Sequence, residues 1–353
     1  GVQGQLAAVL GLPHHKITVK CRRMGGGFGG KERMEVALMA GVAAHKTGRP
    51  CRLVLTRDVD VAITGHKHET RAVYEVEHDG EGRMLRTKFD IDVNAGHSVD
   101  LSEVWAGCLL RRIDGGYTLS NFEGRAGVCK TNLASNTAFR GFGSPEGALI
   151  IEDVMENIAS KLSIDPALVR EKNLTRQGDF PHHGTKPVNE DFLIRCWNEC
   201  LEQSNYWEVR REVDSFNASN KYKKRGISIN AMKFYPTIPV PFLNQASAFI
   251  RVYKDGSILL SHGGAEMGQG LHTKMIQVAA KVLKVDMAKI HIVDSSTDVI
   301  ANATTTGGST GTDLNGFAVI NACNKLMEKL EPLRTAFPDD PWEETVTKAY
   351  MSR

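Results

Sequence analysis

The chain has 353 residues, of which 41% are apolar and 24% charged, and a formal net charge of +3. This length suggests two lobes of ordinary size rather than one core, and the composition is that of a globular protein. So small a charge argues against a nucleic-acid binder, and the one dense basic run, KYKKR (221–225), reads as solvated surface.

In chain order, ITVKC (17–21) reads as a short strand that enters a glycine cluster, Gly25 to Gly30. A helix follows, with Val36, Met39, Ala40, Ala43 and Ala44 at helical spacing, and Gly48-Arg49-Pro50 ends it. CRLVLT (51–56) reads as a second strand, which would complete an α/β unit. AVYEVEH and RMLRTKFDIDV flank the turn Asp79–Gly82 as a hairpin. Ser144-Pro145 signals a helix start, a capping side chain before a proline, with Ile150, Val154, Ile158 and Leu162 on the core face. Composition turns polar and rich in Pro, Gly and His between Thr175 and Pro187. The expected division is therefore a lobe at 1–175, a linker at 176–195 and a second lobe at 196–353, cut short at its end. In the second lobe AFIRVY and SILLSH pair around Lys254-Asp255-Gly256, and a helix carries Leu271, Met275, Val278, Ala279 and Val282. A last glycine-rich loop (304–311) leads into a helix with Ala318, Ala322, Leu326 and Leu330 on one face. The expected class is α/β (α+β), with mixed sheets, hairpins and glycine-rich loops leading into helices.

No stretch approaches the ~20 apolar residues of a membrane span, and GVQGQLAAVLGLPHHK lacks the pattern of a secretion signal. The start at Gly1 and the stop at Arg353 just after a helical pattern both read as cut ends. Seven cysteines without a C-x-x-C pair argue for reduced thiols in the cytoplasm. Cys196 and Cys200, four apart and near His182 and His183, could hold a metal, but buried thiols on a helix face are the expectation.

Four loops precede helices: GGGFGGKE (25–32), FRGFGSPE (139–146), GGAEMGQG (263–270) and TTTGGSTGTDLN (304–315). Glycine lets backbone approach a ligand, and N–H groups at helix starts favour anionic atoms, so the set implies a large, oxygen-rich ligand gripped mainly by backbone. A dinucleotide fingerprint fits Gly25, Gly27 and Gly30, but Asp58 comes too late for its acid. A P-loop fits Gly25, Gly30 and Lys31, but Glu32 stands where a magnesium-binding Ser or Thr belongs.

MGGGFGGKE (24–32), CKTNLASNTAFRGFG (129–143), VPFLNQA (240–246) and GGAEMGQGLHTKM (263–275) resemble the molybdenum-domain motifs of the xanthine dehydrogenase and aldehyde oxidase family. The resemblance runs over nearly the whole chain. It implies a two-lobed fold holding a molybdenum–molybdopterin cofactor, at which a glutamate activates a metal-bound hydroxyl and a substrate carbon is hydroxylated. Electrons would leave through two 2Fe–2S clusters to FAD. It further implies a small heterocycle or aldehyde as substrate, no nucleic-acid or membrane partner, and a homodimer as the full-length enzyme. The expected location is the cytoplasm, with the peroxisome as alternative.

By the same resemblance Gly26, Gly27, Phe28, Arg140, Gly268, Gln269, Gly308 and Ser309 contact the cofactor. Phe28, Arg140 and Gly308 lie near the metal, mainly through backbone, and Arg140 offsets negative charge there. Glu32 corresponds to the pocket glutamate of purine-oxidising members, with helix-start charge complementarity as the plainer reading. Phe142 corresponds to an aromatic wall for a flat substrate. The pattern departs elsewhere. The pocket arginine of purine oxidisers falls on Cys108, with Arg111 and Arg112 close by, the second aromatic wall falls on Ile238, and a polar contact falls on Pro239. The leading reading is a purine or N-heterocycle hydroxylase, and an aldehyde oxidase is the alternative. A nucleotide-dependent enzyme and a non-catalytic assembly module come behind. No iron–sulfur motif, flavin segment or general-base glutamate occurs in these residues, so the chain alone is expected to be inactive.

Overall fold

The computed structural model describes residues 1–32, 34–184, 192–236 and 240–352. Packing groups them into two compact units, Gly1–Asp60 with Pro236–Arg353, and Val61–Tyr235.

The first unit begins with α1 (Val2–Leu10), β1 (Lys20–Cys21) and α2 (Glu35–Thr47), while α3 (Arg57–Ile63) crosses into the second. Helix α2 forms where the periodicity places it and stops at Gly48, whose N–H reaches the Ala44 carbonyl at a left-handed φ of 65°. The strand expected at 51–56 does not form. That segment has no ladder partner, and Val54 is 70% exposed. Strand β1 instead pairs antiparallel with distant β8 (Ser295–Ser296), so the anticipated local α/β unit is replaced by a long-range contact.

In the second unit, β2 (Thr70–His78) and β3 (Met84–Gly96) make the expected antiparallel hairpin. Its turn is tied by Asp79, whose carboxylate accepts from the N–H groups of Glu81 and Arg83 at 2.9 and 2.8 Å. Helix α4 (Ser102–Arg112) then returns the chain to β4 (Phe122–Lys130), which pairs in parallel with β3. Helix α5 (Ser144–Leu162) buries Ile150, Val154 and Ile158 as expected. Its N-cap is Gly143, and the Ser144 hydroxyl makes no capping bond. Helix α6 (Pro166–Asn173) is capped by Asp165 and pinned to α5 through Arg170, which pairs with Glu152 and Glu156 at 2.7 and 2.6 Å.

Helices α7 (Phe192–Gln203) and α8 (Tyr206–Ser219) complete this unit. Trp197, Tyr206, Ile229 and Ala231 enter the same apolar core as Phe89, Trp105 and Ile151. Packing therefore divides the chain differently from a cut at 176–195. Cys196 and Cys200 are exposed, contrary to expectation, because α7 turns Leu193, Ile194, Trp197 and Leu201 inward and the thiols fall beside that stripe. Among the described residues no His, Cys, Asp or Glu cluster could hold a metal.

The chain then re-enters the first unit. Strands β5 (Ala248–Val252) and β6 (Ile258–His262) form a hairpin, and β7 (Ile290–Ile292) joins β6 in parallel. Helix α9 (Leu271–Leu283) and α10 (Gly311–Ala336) pack on this sheet over a core of Leu260, Met275, Ala279, Val319 and Cys323. The deepest residues of α10, Val319 and Cys323, lie one position beyond the predicted face. Helix α11 (Trp342–Met351) closes the chain. Among the described residues no helix is long and apolar enough to cross a membrane.

Candidate cofactor and substrate site

Three of the four glycine loops meet inside the first unit. The 24–32 loop is joined to the 263–270 loop by a parallel bridge between Arg23 and Glu266 and by the Met24 N–H, which donates to the Glu266 carbonyl at 2.9 Å. The Ala265 N–H donates to Thr306 Oγ1 at 2.9 Å, which brings in the 304–311 loop. Side chains would separate them. A Cβ on Gly27 would lie 2.5 Å from the Met267 sulfur, and one on Gly307 would lie 3.1 Å from Glu32 Oε1. The half-buried Glu32 carboxylate thus packs directly on bare backbone of a second loop.

Two non-glycine residues of these loops take left-handed backbone. Phe28 has φ 54° and Ser309 φ 60°, left-handed values that non-glycine residues seldom adopt and that cluster at functional sites. Gly26 packs under the Phe28 ring, which is 59% exposed. The expected supply of helix-start N–H groups needs correction in the 263–270 loop. Glu266, itself buried, accepts from Gly268 N and Gly270 N at 2.8 and 3.0 Å and from His272 N at 2.9 Å. Burial alone would raise its pKa, but those three N–H groups outweigh it and hold the carboxyl below the ordinary range. Gln269 also turns inward, accepting from Met267 N at 2.6 Å and donating to the Ala265 carbonyl at 2.9 Å. What remains open is backbone. Phe28, Gln269, Gly308 and Ser309 are exposed, and among the described residues their N–H groups donate to nothing.

Beneath this loop His262 and His272 share a buried bond of 3.0 Å. The Gly264 N–H donates to His262 Nδ1, so His262 Nε2 carries the proton and donates to His272 Nδ1. Burial keeps both imidazoles neutral and lowers His262 to about 4.

The fourth loop belongs to the second unit. Arg140 is exposed and forms no ion pair among the described residues. Its carbonyl accepts from Lys67 Nζ at 2.9 Å. Phe142, at φ 44°, is partly covered by the core. Gly143 admits no side chain, since a Cβ there would lie 2.7 Å from the Leu109 nitrogen of α4.

Two family models, each described as a molybdopterin cofactor-binding domain, match residues 1–174 and 199–353. The chain belongs to this family. Xanthine dehydrogenase/oxidase of Felis catus is 46% identical over 99% of the chain, and aldehyde oxidase 3 of Rattus norvegicus is 43% identical over 99%. The chain spans 26% of the length of each. Among solved structures, quinoline 2-oxidoreductase from Pseudomonas putida 86 superposes with a TM-score of 0.87 at 22% identity, over 99% of this chain and 49% of that one. Aldehyde oxidoreductase from Desulfovibrio desulfuricans gives 0.82 at 26%, over 92% and 36%.

Against the family pattern, Cys108 is buried in α4, and burial pushes its thiol pKa up. Arg112, one turn on, is buried too and spends its guanidinium on backbone carbonyls. Ile238 and Pro239 lie outside the described residues. The residues that organise the loops, Glu266, Lys67 and Arg112, were not assigned these roles from sequence. For Glu266 a signal existed, an acid placed just before two glycines at a helix start.

Proposed function

We propose that this chain is the molybdopterin-binding part of a molybdenum hydroxylase acting on purines and related flat N-heterocycles. The observation that carries the cofactor reading is the set of unspent backbone N–H groups at Phe28, Gln269, Gly308 and Ser309, on loops whose side chains are trimmed for close approach. Such a surface suits the many oxygens of a pterin phosphate and a metal's oxo ligand. When bound, the cofactor supplies oxygen insertion and accepts the substrate's electrons. Gly26, Gly27, Gly268 and Gly308 admit it, and Phe28, Gln269 and Ser309 orient it with N–H groups. Arg140, an exposed cation, offsets its negative charge. Phe142 provides a face for a flat ring, and Glu32 provides a carboxylate that accepts a ring N–H.

The reading extends to the longer protein: iron–sulfur clusters, FAD, a general-base glutamate, dimerisation and a cytoplasmic location are proposed for it. Sequence modules at 1–175 and 196–353 are likewise proposed as the family's two building blocks. Aldehyde oxidation is the second reading, favoured by Cys108, which has neither the charge nor the reach of an arginine. The test is molybdenum content of the full-length protein with Gly308→Val. A branched side chain at φ 63° blocks the approach, so metal content should drop severalfold with unchanged circular dichroism. Full molybdenum content in that variant would remove the cofactor assignment of this loop.

A further inference from the structure

The end of α4 brings together backbone from two distant stretches of the second unit. Arg112 is only 8% exposed. Its Nη1 donates to the carbonyls of Phe142 at 3.3 Å and Gly141 at 3.5 Å, and its Nη2 donates to the Tyr235 carbonyl at 3.3 Å. The guanidinium also lies over the Phe234 ring, 4.9 Å from its centre. Among the described residues no carboxylate pairs with it. A buried cation is thus balanced by carbonyl dipoles and an aromatic face alone, an arrangement that fails if either stretch moves.

We propose that Arg112 is a specificity-determining positioning residue. It clamps the Phe142 turn to the segment ending at Tyr235 and so sets where the Phe142 ring can meet a flat substrate. The proposal rests on the reading of Phe142 as a stacking wall.

Three features make the clamp necessary. Phe142 sits at φ 44°, a left-handed conformation that crowds an L-residue's Cβ against the following carbonyl. The turn's own bonds, Phe142 N to the Phe139 carbonyl at 2.9 Å and Ser144 N to the Gly141 carbonyl at 3.1 Å, close it without orienting it toward the rest of the fold. Its seat is α4 itself: a Cβ on Gly143 would lie 2.7 Å from the Leu109 nitrogen, and one on Gly147 would lie 3.1 Å from Ile113 Cα at the helix end. Lys67 holds the turn's outer end through the Arg140 carbonyl. Arg112 holds the inner end, and the planar fork of a guanidinium fixes its donors at a set spacing and direction, whereas a compact ammonium carries three freely rotating donors on one atom.

The experiment uses the full-length holoenzyme and compares wild type, Arg112→Lys and Arg112→Met. Steady-state kinetics are run with hypoxanthine and with acetaldehyde, which offers no ring to stack. Hydrogen exchange is followed in peptides covering 139–144 and 232–236. Arg112→Met should raise KM for hypoxanthine about tenfold while acetaldehyde KM stays within about twofold. Both peptides should lose protection together, at unchanged molybdenum content. Arg112→Lys, holding one carbonyl, should fall between, and it carries the test if the Met variant does not fold. Equal KM changes for both substrates, or protection lost in neither or only one segment, would overturn the proposal. If the wild type oxidises neither substrate, the substrate reading has failed, and the exchange result alone decides whether Arg112 is the clamp.

Discussion

At the level of single residues, charge and backbone conformation do different work. Glu32 lies close to Gly307, where any side chain would crowd its carboxylate. Replacing it by Val removes a charge-assisted contact of roughly 1.5–3 kcal/mol. Purine kcat/KM should then fall at least about tenfold, with aldehyde turnover little changed. Equal losses on both substrates would leave Glu32 a structural residue of the helix start. Arg140 is exposed and unpaired among the described residues, so Arg140→Ala should leave the unfolding temperature within experimental error. Turnover or cofactor retention should fall about a hundredfold or more, the loss typical for a cation beside a developing charge. Wild-type turnover with full molybdenum content would refute its role.

At the level of elements, the start of α9 is held by side chains. Glu266 occupies the N–H groups of Gly268, Gly270 and His272, and neutral His262 holds His272 from below. Both groups titrate with the same sign. The lowered Glu266 pKa stabilises the fold above its ordinary range, and that contribution is lost as pH falls through the folded value. His262, lowered to about 4, is neutral when folded but would be protonated when unfolded below 6.5, so its contribution is also lost between 6.5 and about 4. Protection of the first α9 amides, corrected for intrinsic exchange, should therefore fall as pH drops through that window. Glu266→Gln should lower protection at pH 7 and flatten the acidic limb. An unchanged pH profile would show that the capping carboxylate is not what holds the helix start.

Across the whole molecule, core continuity overrides sequence punctuation. The polar stretch after Thr175 reads as a linker, yet Trp197 and Tyr206 beyond it share a core with Phe89 and Ile151 before it. A protease site placed between residues 185 and 191 should, once cut, leave the two sides associated under native conditions, because that core joins them. Separation of the pieces on gel filtration would show that the modules pack independently.

The sequence by itself determined the family and the glycine loops that carry its motifs. Long glycine motifs need no partner to be recognised, since the requirement for bare backbone is written in the residues that meet it. It also placed the β2–β3 and β5–β6 hairpins and helices α2, α5, α9 and α10, whose turns and periodicity are local. Only tertiary structure decided what depends on distant partners. CRLVLT has the residues of a strand and no neighbour to pair with, whereas β1 found one at Ser295–Ser296. Arg112 looked like a substitute for a pocket cation, and three carbonyls contributed by Gly141, Phe142 and Tyr235 made it a clamp. The N–H groups at Gly268 and Gly270 looked available until Glu266 folded back to take them. A hydrogen-bond donor's chemistry is set by its residue, but whether it is already spent depends on which groups the fold brings within 3 Å.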